Sequence, residues 1–352
     1  MIPKFERGIL ISVIFLVASL LITVFLSPTK KEVMAPREGL ETFNVARAQH
    51  VIIKRHVNSV GYSDFESLEP VEAQSSGKFH DKKALFGTKV ENTTENLKKR
   101  FSGLGYSLDA IRDEKIDVPR VFISALPTDF GQIRETRRRK GLFFRTVLPL
   151  VLQVNEEIER DRNRLSRLKS QIKDKKKIGP LDRLWLLVLF ERYKVERYDW
   201  SNLLFRLDVI PPSLALAQAA EESGWGSSRF VHQGNAIFGE WAVKGIKGMI
   251  PLRRDPGKVH RVKSFNTLLD SVRAYAKNLN THRAYRKFRN ERFFQRKKGG
   301  KLKGLLLAKG IEKYSERGDR YVKTITSIIK SNKLSRFDNV RLAKQALSGS
   351  VI

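Results

Sequence analysis

The segment from Pro211 to Gly226 reads PPSLALAQAAEESGWG, and the fold of its surroundings depends on it. We expect a helix that begins at the prolines, because the N–H that proline lacks would have no intrahelical partner at the first position. Gly224 suits the left-handed conformation that closes a helix. A helix so rich in alanine and leucine is too apolar to lie free on a surface. The sequence therefore predicts a central helix.

Glu222 lies on the last turn of this predicted helix. The helix dipole disfavours an ionised carboxylate at that end. A carboxyl group that stays protonated near neutral pH can act as a general acid. The competing interpretation is a solvated surface residue, which is the usual situation of an acid.

A second cluster of glycine and aromatic residues, GNAIFGEW, spans Gly234 to Trp241. Glycine permits close approach of the backbone to a ligand. An exposed tryptophan face can stack on the C–H face of a sugar. The two clusters favour a ligand cleft beside Glu222.

The composition narrows the chemistry. The chain has 352 residues and no cysteine, which excludes disulfides, thiolate metal sites and cysteine nucleophiles. Its six histidines show no zinc-binding spacing, so we expect neither a metal nor a cofactor.

The formal net charge of +31 predicts an anionic partner: a nucleic acid, an acidic membrane surface or an acidic polymer. The alternative is that the basic residues only confer solubility. A nucleic acid ranks last, since the chain has no helix-turn-helix, zinc-finger or aromatic–basic stacking pattern.

The run from Ile9 to Leu26 carries no charge and is about long enough for a membrane-spanning helix. Lys4 and Arg7 before it favour a cytoplasmic N-terminus. A cleaved signal peptide is the alternative, although no good Ala-x-Ala site follows. We expect an uncleaved single-pass anchor with the body of the protein outside the cytoplasmic membrane, a location that argues against a nucleic-acid partner.

Helical periodicity begins at about Gly131. Thr146 to Lys177 reads as a long amphipathic helix, and Leu181 to Val195 as a second helix after the break at Gly179-Pro180. Another helix is predicted after an N-cap near Ser264 or Asn266. The predicted segments are an anchor or signal peptide (1–29), a stalk or small irregular region (30–130), a helical hairpin (131–199), the main domain (200–335) and a tail (336–352).

The sequence contains an ordered set of motifs: AQAAxESGWG at 217–226, Asn235-x-x-Phe238-Gly239, Tyr275, and Gly310, Tyr314, Asp319 and Tyr321. This set resembles the bacterial peptidoglycan β-N-acetylglucosaminidases, the mannosyl-glycoprotein endo-β-N-acetylglucosaminidase-like glycoside hydrolases of family 73. Within them the stretch from Leu279 to Arg289 is similar to the membrane-anchored Bax-type proteins of Gram-negative bacteria. The resemblance covers 200–330 well and 118–162 more loosely.

The resemblance implies an α+β, mainly helical, lysozyme-like glucosaminidase domain with a small β-lobe, here preceded by the helical hairpin and the N-terminal transmembrane helix. It makes Glu222 the general acid that protonates the leaving oxygen of a β-1,4 linkage. Glu221 stands where the family more often has an apolar residue. Neighbours on a helix point about 100° apart, so only one of the two can face the cleft.

The second catalytic group stays open. Asp255 is the positional candidate in the β-lobe, and Glu240 is the other. The acetamido group of the substrate could also take part in place of a protein base. Tyr314 matches a family tyrosine that could orient the acetamido group or an attacking water. The residues expected to bind or shape the sugar subsites are Trp225, Asn235, Phe238, Trp241 and Tyr321.

The resulting expectation is a hydrolase of peptidoglycan glycan strands that cleaves between N-acetylglucosamine and N-acetylmuramic acid, without amidase activity. The alternative is a non-catalytic wall- or polyanion-binding scaffold that keeps the fold, and a lytic transglycosylase is a chemical variant. A basic face is expected to hold the protein on the acidic wall polymer; its residues are Arg283, Arg286, Lys287, Arg289, Arg292 and Arg296.

Overall fold

The computed structural model of the protein describes residues 93–242, 248–250 and 261–344. The predicted anchor, the first part of the predicted stalk and Asp255 lie outside the described residues. Among the residues described, no helix is both long and apolar enough to cross a membrane.

The described chain is mainly helical. Its α-helices are α1 Thr94–Gly103, α2 Leu108–Arg112, α3 Thr136–Lys173, α4 Pro180–Arg192, α5 Trp200–Arg206, α6 Pro212–Ser223, α7 Arg229–Gly234, α8 Leu268–Thr281, α9 Arg286–Lys297, α10 Gly304–Leu307 and α11 Asp319–Ser331. Its strands are β1 Trp241–Ala242, β2 Gly248–Met249 and β3 Arg261–Lys263, and its 3-10 helices are Phe130–Gln132, Arg283–Tyr285, Ala308–Tyr314 and Leu334–Phe337.

Helix α6 lies at the centre of the fold, as predicted. It packs against α3, α10, α11 and the 3-10 helix at 334–337. Pro212 is its first residue and Gly224 closes it with a φ of +57°. Its apolar residues from 214 to 220 are completely buried: Leu214, Ala215, Leu216, Ala217, Ala219 and Ala220.

The carboxylate of Asp338 satisfies donors at the start of α6. Its Oδ1 accepts from the N–H of Ser213 at 2.9 Å, and its Oδ2 accepts from the Ser213 hydroxyl at 2.9 Å. A helix start leaves N–H groups without intrahelical partners, and Pro211 offers no side-chain cap. A residue more than a hundred positions away therefore fixes the helix that carries Glu222.

Helices α3 and α4 run antiparallel, joined by ion pairs. Arg164 pairs with Asp182 at 2.8 Å, and Arg192 pairs with Asp161 at 3.6 Å. Helix α3 begins at Thr136, before the predicted start at Thr146. The prediction missed these residues because the first turn of the helix is basic and shows no apolar periodicity. It also packs against α6 and α8, so it shares their core.

A small antiparallel sheet with the order β1-β3-β2 follows α7. Trp241 pairs with Val262, and Gly248 pairs with Lys263. This arrangement agrees with the predicted small β-lobe on a mainly helical domain.

Two segment predictions need correction in the part of the chain that is described. The predicted stalk contains helices α1 and α2 up to residue 112, and Leu97 and Phe101 there are completely buried. The predicted tail packs as well: Phe337 is completely buried, and Val118 and Leu342 form a parallel β-bridge. Both segments complete one core that local sequence patterns do not show.

The start of α8 also differs from the prediction. Its N-cap is Thr267, whose hydroxyl accepts from the N–H of Asp270 at 3.2 Å. The Asp270 carboxylate accepts in return from the N–H of Thr267 at 3.2 Å. This reciprocal capping box is stronger than a single cap at Ser264 or Asn266.

Candidate active site

Glu222 is half-buried at the C-terminal end of α6. Its Oε1 accepts a hydrogen bond from the Tyr321 hydroxyl at 2.7 Å. Burial raises the pKa of the Glu222 carboxyl, and the charge of Glu221 adds to this, whereas the Tyr321 hydrogen bond and Arg317 oppose it. The net effect favours a protonated carboxyl.

A chain of buried hydrogen bonds leads to Glu222. The Tyr275 hydroxyl donates to Oε1 of Gln218 at 2.7 Å, and Nε2 of Gln218 donates to the Tyr321 hydroxyl at 3.0 Å. Since Tyr321 accepts from Gln218, its single proton goes to Glu222. Oε1 of Glu222 is therefore an acceptor, and Oε2 is the oxygen that can carry a proton to a ligand.

Gly239 lies beside that second oxygen. A Cβ atom at Gly239 would stand 3.8 Å from Oε2 of Glu222, and the φ of Gly239 is +61°. A larger residue would strain the backbone and narrow the space in front of the carboxyl. The glycine leaves room at the proton-carrying oxygen.

The neighbouring Glu221 points to a different partner. Its Oε1 accepts from Nη2 of Arg317 at 2.6 Å. The Arg317 guanidinium also lies 5.4 Å from the centroid of the Tyr321 ring. The two glutamates thus diverge, as the helix geometry predicts: Glu222 faces the tyrosines and Glu221 forms an ion pair that is partly open to solvent.

Tyr314 and Phe238 pack against the two tyrosines of the hydrogen-bond chain. The Tyr314 hydroxyl donates to the carbonyl oxygen of Phe238 at 3.0 Å, and the Tyr314 ring lies parallel to that of Tyr321 with centroids 5.8 Å apart. The Phe238 ring is buried and stacks on Tyr275 at 3.8 Å. Phe238 therefore shapes the site from within and does not offer its ring to a ligand.

Glu240 is a second, half-buried carboxyl near the same tyrosines. Burial raises its pKa to about 7, against the opposing charges of Lys263 and Lys277. The Nζ atom of Lys263 lies 4.0 Å from Oε2 of Glu240, and the Oε1 atom has no hydrogen-bond partner among the described residues. Glu222 and Glu240 both raise the pKa of Tyr314, after burial as the main cause, so both carboxyls lie around one tyrosine.

Comparison with known proteins agrees with this geometry. Residues 202–334 match the family model of mannosyl-glycoprotein endo-β-N-acetylglucosaminidase. The chain is also 33% identical over 215 residues to Protein bax of Escherichia coli (strain K12), an alignment that covers 59% of this chain and 75% of that protein. The chain belongs to the Bax-type glucosaminidases. No solved structure gives a significant match.

Membership of this family confirms the resemblance expected from the motifs and identifies a glycoside hydrolase domain that acts on glycans. The matched region begins in α5 and contains Glu222, Glu240, Tyr314 and Tyr321. The site described above therefore lies inside the glucosaminidase domain.

The other predicted subsite residues are distributed around the site of this glucosaminidase. Trp225 packs edge-on against Phe144 of α3 at 5.4 Å, with Nζ of Lys140 4.4 Å from its ring centroid. Nδ2 of Asn235 donates to two loop carbonyls before α8, at 3.2 and 3.0 Å. Trp241 is 64% exposed next to Glu240. Of the two tryptophans, Trp241 has the more accessible ring.

Sequence reasoning assigned no role to Gln218 or Tyr275. Gln218 was detectable, because it is the polar residue that precedes Glu222 by four positions on an otherwise apolar helix. Metal sites were not expected, and in the described ranges no group of three histidine or acidic residues could hold an ion.

Two of the residues predicted to form an exposed basic face are buried, so the prediction is wrong for them. Arg289 and Arg292 are 3% and 1% exposed, because they turn into the fold and bind backbone carbonyls. Arg292 donates from Nη1 to the carbonyls of Asp208 and Val209 at 3.0 and 3.1 Å. A periodic arginine is usually a surface residue, whereas here Arg292 reaches from α9 to the end of α5 and Arg289 reaches the end of α8.

Proposed function

We propose that this glucosaminidase hydrolyses the β-1,4 bond between N-acetylglucosamine and N-acetylmuramic acid in peptidoglycan, with Glu222 as the general acid. The observation that carries the proposal is the half-buried Glu222 carboxyl with its raised pKa and one oxygen held by Tyr321. The glucosaminidase family supplies the substrate class.

In this scheme Oε2 of Glu222 gives its proton to the glycosidic oxygen as the bond to the anomeric carbon breaks. Burial raises the pKa of the Glu222 carboxyl and so favours its protonated form before the reaction. The Tyr321 hydroxyl then stabilises the carboxylate that forms, because a hydrogen bond to the charged form favours it. The chain through Gln218 and Tyr275 holds that hydroxyl in place.

We propose Glu240 as the group that receives a proton from the attacking water. Its pKa of about 7 suits a group that exchanges protons near neutral pH, and its Oε1 atom is not engaged by any described residue. Asp255 remains the second candidate for this role, and participation of the substrate acetamido group is the third.

Tyr314 is proposed to position the substrate. Its single proton goes to the carbonyl oxygen of Phe238, so the lone pairs of its hydroxyl are available to an acetamido N–H. Trp241 is proposed to stack on a sugar ring, since most of its surface is exposed beside Glu240.

The uncharged run from Ile9 to Leu26 is proposed to anchor the protein in the inner membrane, with the catalytic domain on the periplasmic side. Peptidoglycan lies on that side, so this placement agrees with the proposed substrate.

The deciding experiment uses the full chain in nonionic detergent with purified peptidoglycan, followed by mass spectrometry of the soluble fragments. We expect new reducing-end N-acetylglucosamine. Glu222→Gln should lower the rate by about 10²–10⁴-fold, while the matched control Glu221→Gln should stay within about twofold.

Anhydro-muramyl ends would instead indicate transglycosylation and contradict hydrolysis. If the wild type binds peptidoglycan but releases no fragment, the scaffold alternative is correct. If Glu222→Gln remains active, the acid is another residue.

A further inference from the structure

A cavity of about 690 Å³ lies between α5, the 3-10 helix Arg283–Tyr285 and α9. That volume is within the usual range of small-molecule sites. None of the residues assigned above to catalysis lines it. Four arginines contribute to its wall: Arg206, Arg283, Arg286 and Arg289.

Arg289 is the most informative of the four. It is 3% exposed, and its Nη1 donates to the carbonyls of Leu279 and His282 at 2.8 and 2.9 Å. Its Nε has no partner among the described residues. Buried donors on a cation are normally satisfied, because leaving one without a partner is costly. A hydrogen-bond acceptor bound in the cavity would give this guanidinium the partner that its Nε lacks.

The charge around Arg289 is not balanced locally. In the described part of the chain, no aspartate or glutamate lines the cavity. Burial lowers the pKa of Arg289 to about 10, and the charges of Arg206, Arg292 and Arg286 add to the effect. The group remains a cation at neutral pH, and a bound anion would relieve the mutual repulsion of these arginines.

The same cavity has an apolar border. Phe293 and Phe294 of α9 line it and are 49% and 56% exposed. Phe205 of α5 contacts Phe293 edge-on at 5.9 Å, so the aromatic surface continues across the cavity. Adjacent exposed phenyl rings are unusual on a free surface and mark interaction sites.

We propose that this cavity binds the phosphate of an anionic amphiphile, such as the headgroup of an anionic phospholipid. The guanidinium groups donate hydrogen bonds to the phosphate oxygens, for which arginine has a suitable donor geometry. The phenyl rings cover the adjoining apolar chain. A free inorganic anion would leave those rings in water, and a cell-wall peptide brings carboxylates but little apolar surface. The proposal does not depend on the glycosidase assignment.

The test measures ligand binding by calorimetry to the full chain in nonionic detergent. The probes are short-chain phosphatidylglycerol, short-chain phosphatidylcholine, inorganic phosphate and a soluble muropeptide. We expect phosphatidylglycerol to bind at least about tenfold more tightly than each of the others, because only it combines an uncompensated negative charge with acyl chains.

Variants locate the binding. Arg286→Gln removes an exposed arginine of the wall and should weaken phosphatidylglycerol binding by about tenfold. Phe294→Ala should weaken the lipid by a few-fold and leave phosphate binding unchanged. The matched control is Arg137→Gln, an exposed arginine of α3 outside the cavity, which should change neither.

The proposal is overturned by equal binding of phosphatidylglycerol and phosphatidylcholine, by an equal loss in Arg137→Gln and Arg286→Gln, or by tighter binding of the muropeptide than of the lipid. Tighter binding of the muropeptide would assign the cavity to wall peptides. If phosphate binds as tightly as phosphatidylglycerol and Phe294→Ala has no effect, the site takes free anions and the amphiphile is excluded.

Discussion

The carboxyl cluster around Glu222 and Glu240 and the arginine cluster of Arg289 and Arg292 both remove charged groups from water, in different ways. Glu222 is half-buried, its Oε1 accepts a hydrogen bond from the Tyr321 hydroxyl, and burial favours its neutral form. Arginine stays charged, so the segments that pack against α9 must supply acceptors. Arg292 finds them in backbone carbonyls, whereas Arg289 keeps an N–H without a described partner. A buried acid can become neutral, whereas a buried arginine needs acceptors.

The largest expected effect tests the arginine cluster. Arg292→Leu removes hydrogen bonds to backbone carbonyls and leaves the buried Asp208 with fewer cations, so the free energy of unfolding should fall by about 3–5 kcal/mol. Arg289→Leu should cost only about 1–2 kcal/mol, because it loses fewer bonds and relieves repulsion. Urea denaturation measures both. An equal or larger loss for Arg289 would contradict the distinction between the two arginines.

The next-largest expected effect is a pH dependence of stability that comes from the raised pKa of Glu240. Its folded pKa of about 7 lies above the ordinary 4.5, so the folded chain binds a proton there that the unfolded chain has lost. The stability from this group is fully present below about pH 4.5 and is lost as the pH rises through about 7, by about 3 kcal/mol in total. Glu240→Gln should remove this slope.

Thermal melts at a series of pH values check this slope. Lys263→Met should raise the pKa of Glu240 and extend the sloping range to higher pH, since Lys263 opposes the shift. Parallel stability curves for the wild type and Glu240→Gln over the whole range would show that the carboxyl is not held neutral by the fold.

A smaller effect is expected from removing the Tyr321 hydroxyl, which donates a hydrogen bond to Glu222. Tyr321→Phe removes a hydrogen bond that lowers the pKa of Glu222, so the alkaline limb of the pH–rate profile should move to higher pH. The rate at the optimum should fall about tenfold, because the carboxylate that forms is less stabilised. Tyr198→Phe, at an exposed position, is the matched control. A shift of the alkaline limb to lower pH would contradict the assigned hydrogen-bond direction.

The smallest effect separates two tryptophans next to the carboxyl cluster. Trp241→Ala should raise KM for glycan about threefold with little change in kcat, as expected for loss of a stacking surface. Trp225→Phe should lower Tm and leave KM unchanged, because that ring packs on α3. If the two results were interchanged, the ring that binds sugar would be Trp225 and not Trp241.

Local patterns in the sequence predict the features that depend on neighbouring residues. Helix α6, its proline start, its glycine end and the divergence of Glu221 and Glu222 follow from residue types and helical spacing. The capping box at Thr267 was missed by one to three residues, since several residues nearby could act as caps. Asp255 and the apolar run from Ile9 lie outside the described residues, so those two expectations stay predictions.

The amino-acid sequence by itself determined where the central helix begins and ends and that Glu221 and Glu222 diverge, because capping, periodicity and backbone preference act within a few residues. Only the tertiary structure decided that Asp338 holds the start of that helix, that Glu240 lies near the same tyrosine as Glu222, and that Arg289 and Arg292 point inward. The physical reason is that the burial and the hydrogen-bond partner of a charged side chain depend on segments distant in sequence, which no local pattern records.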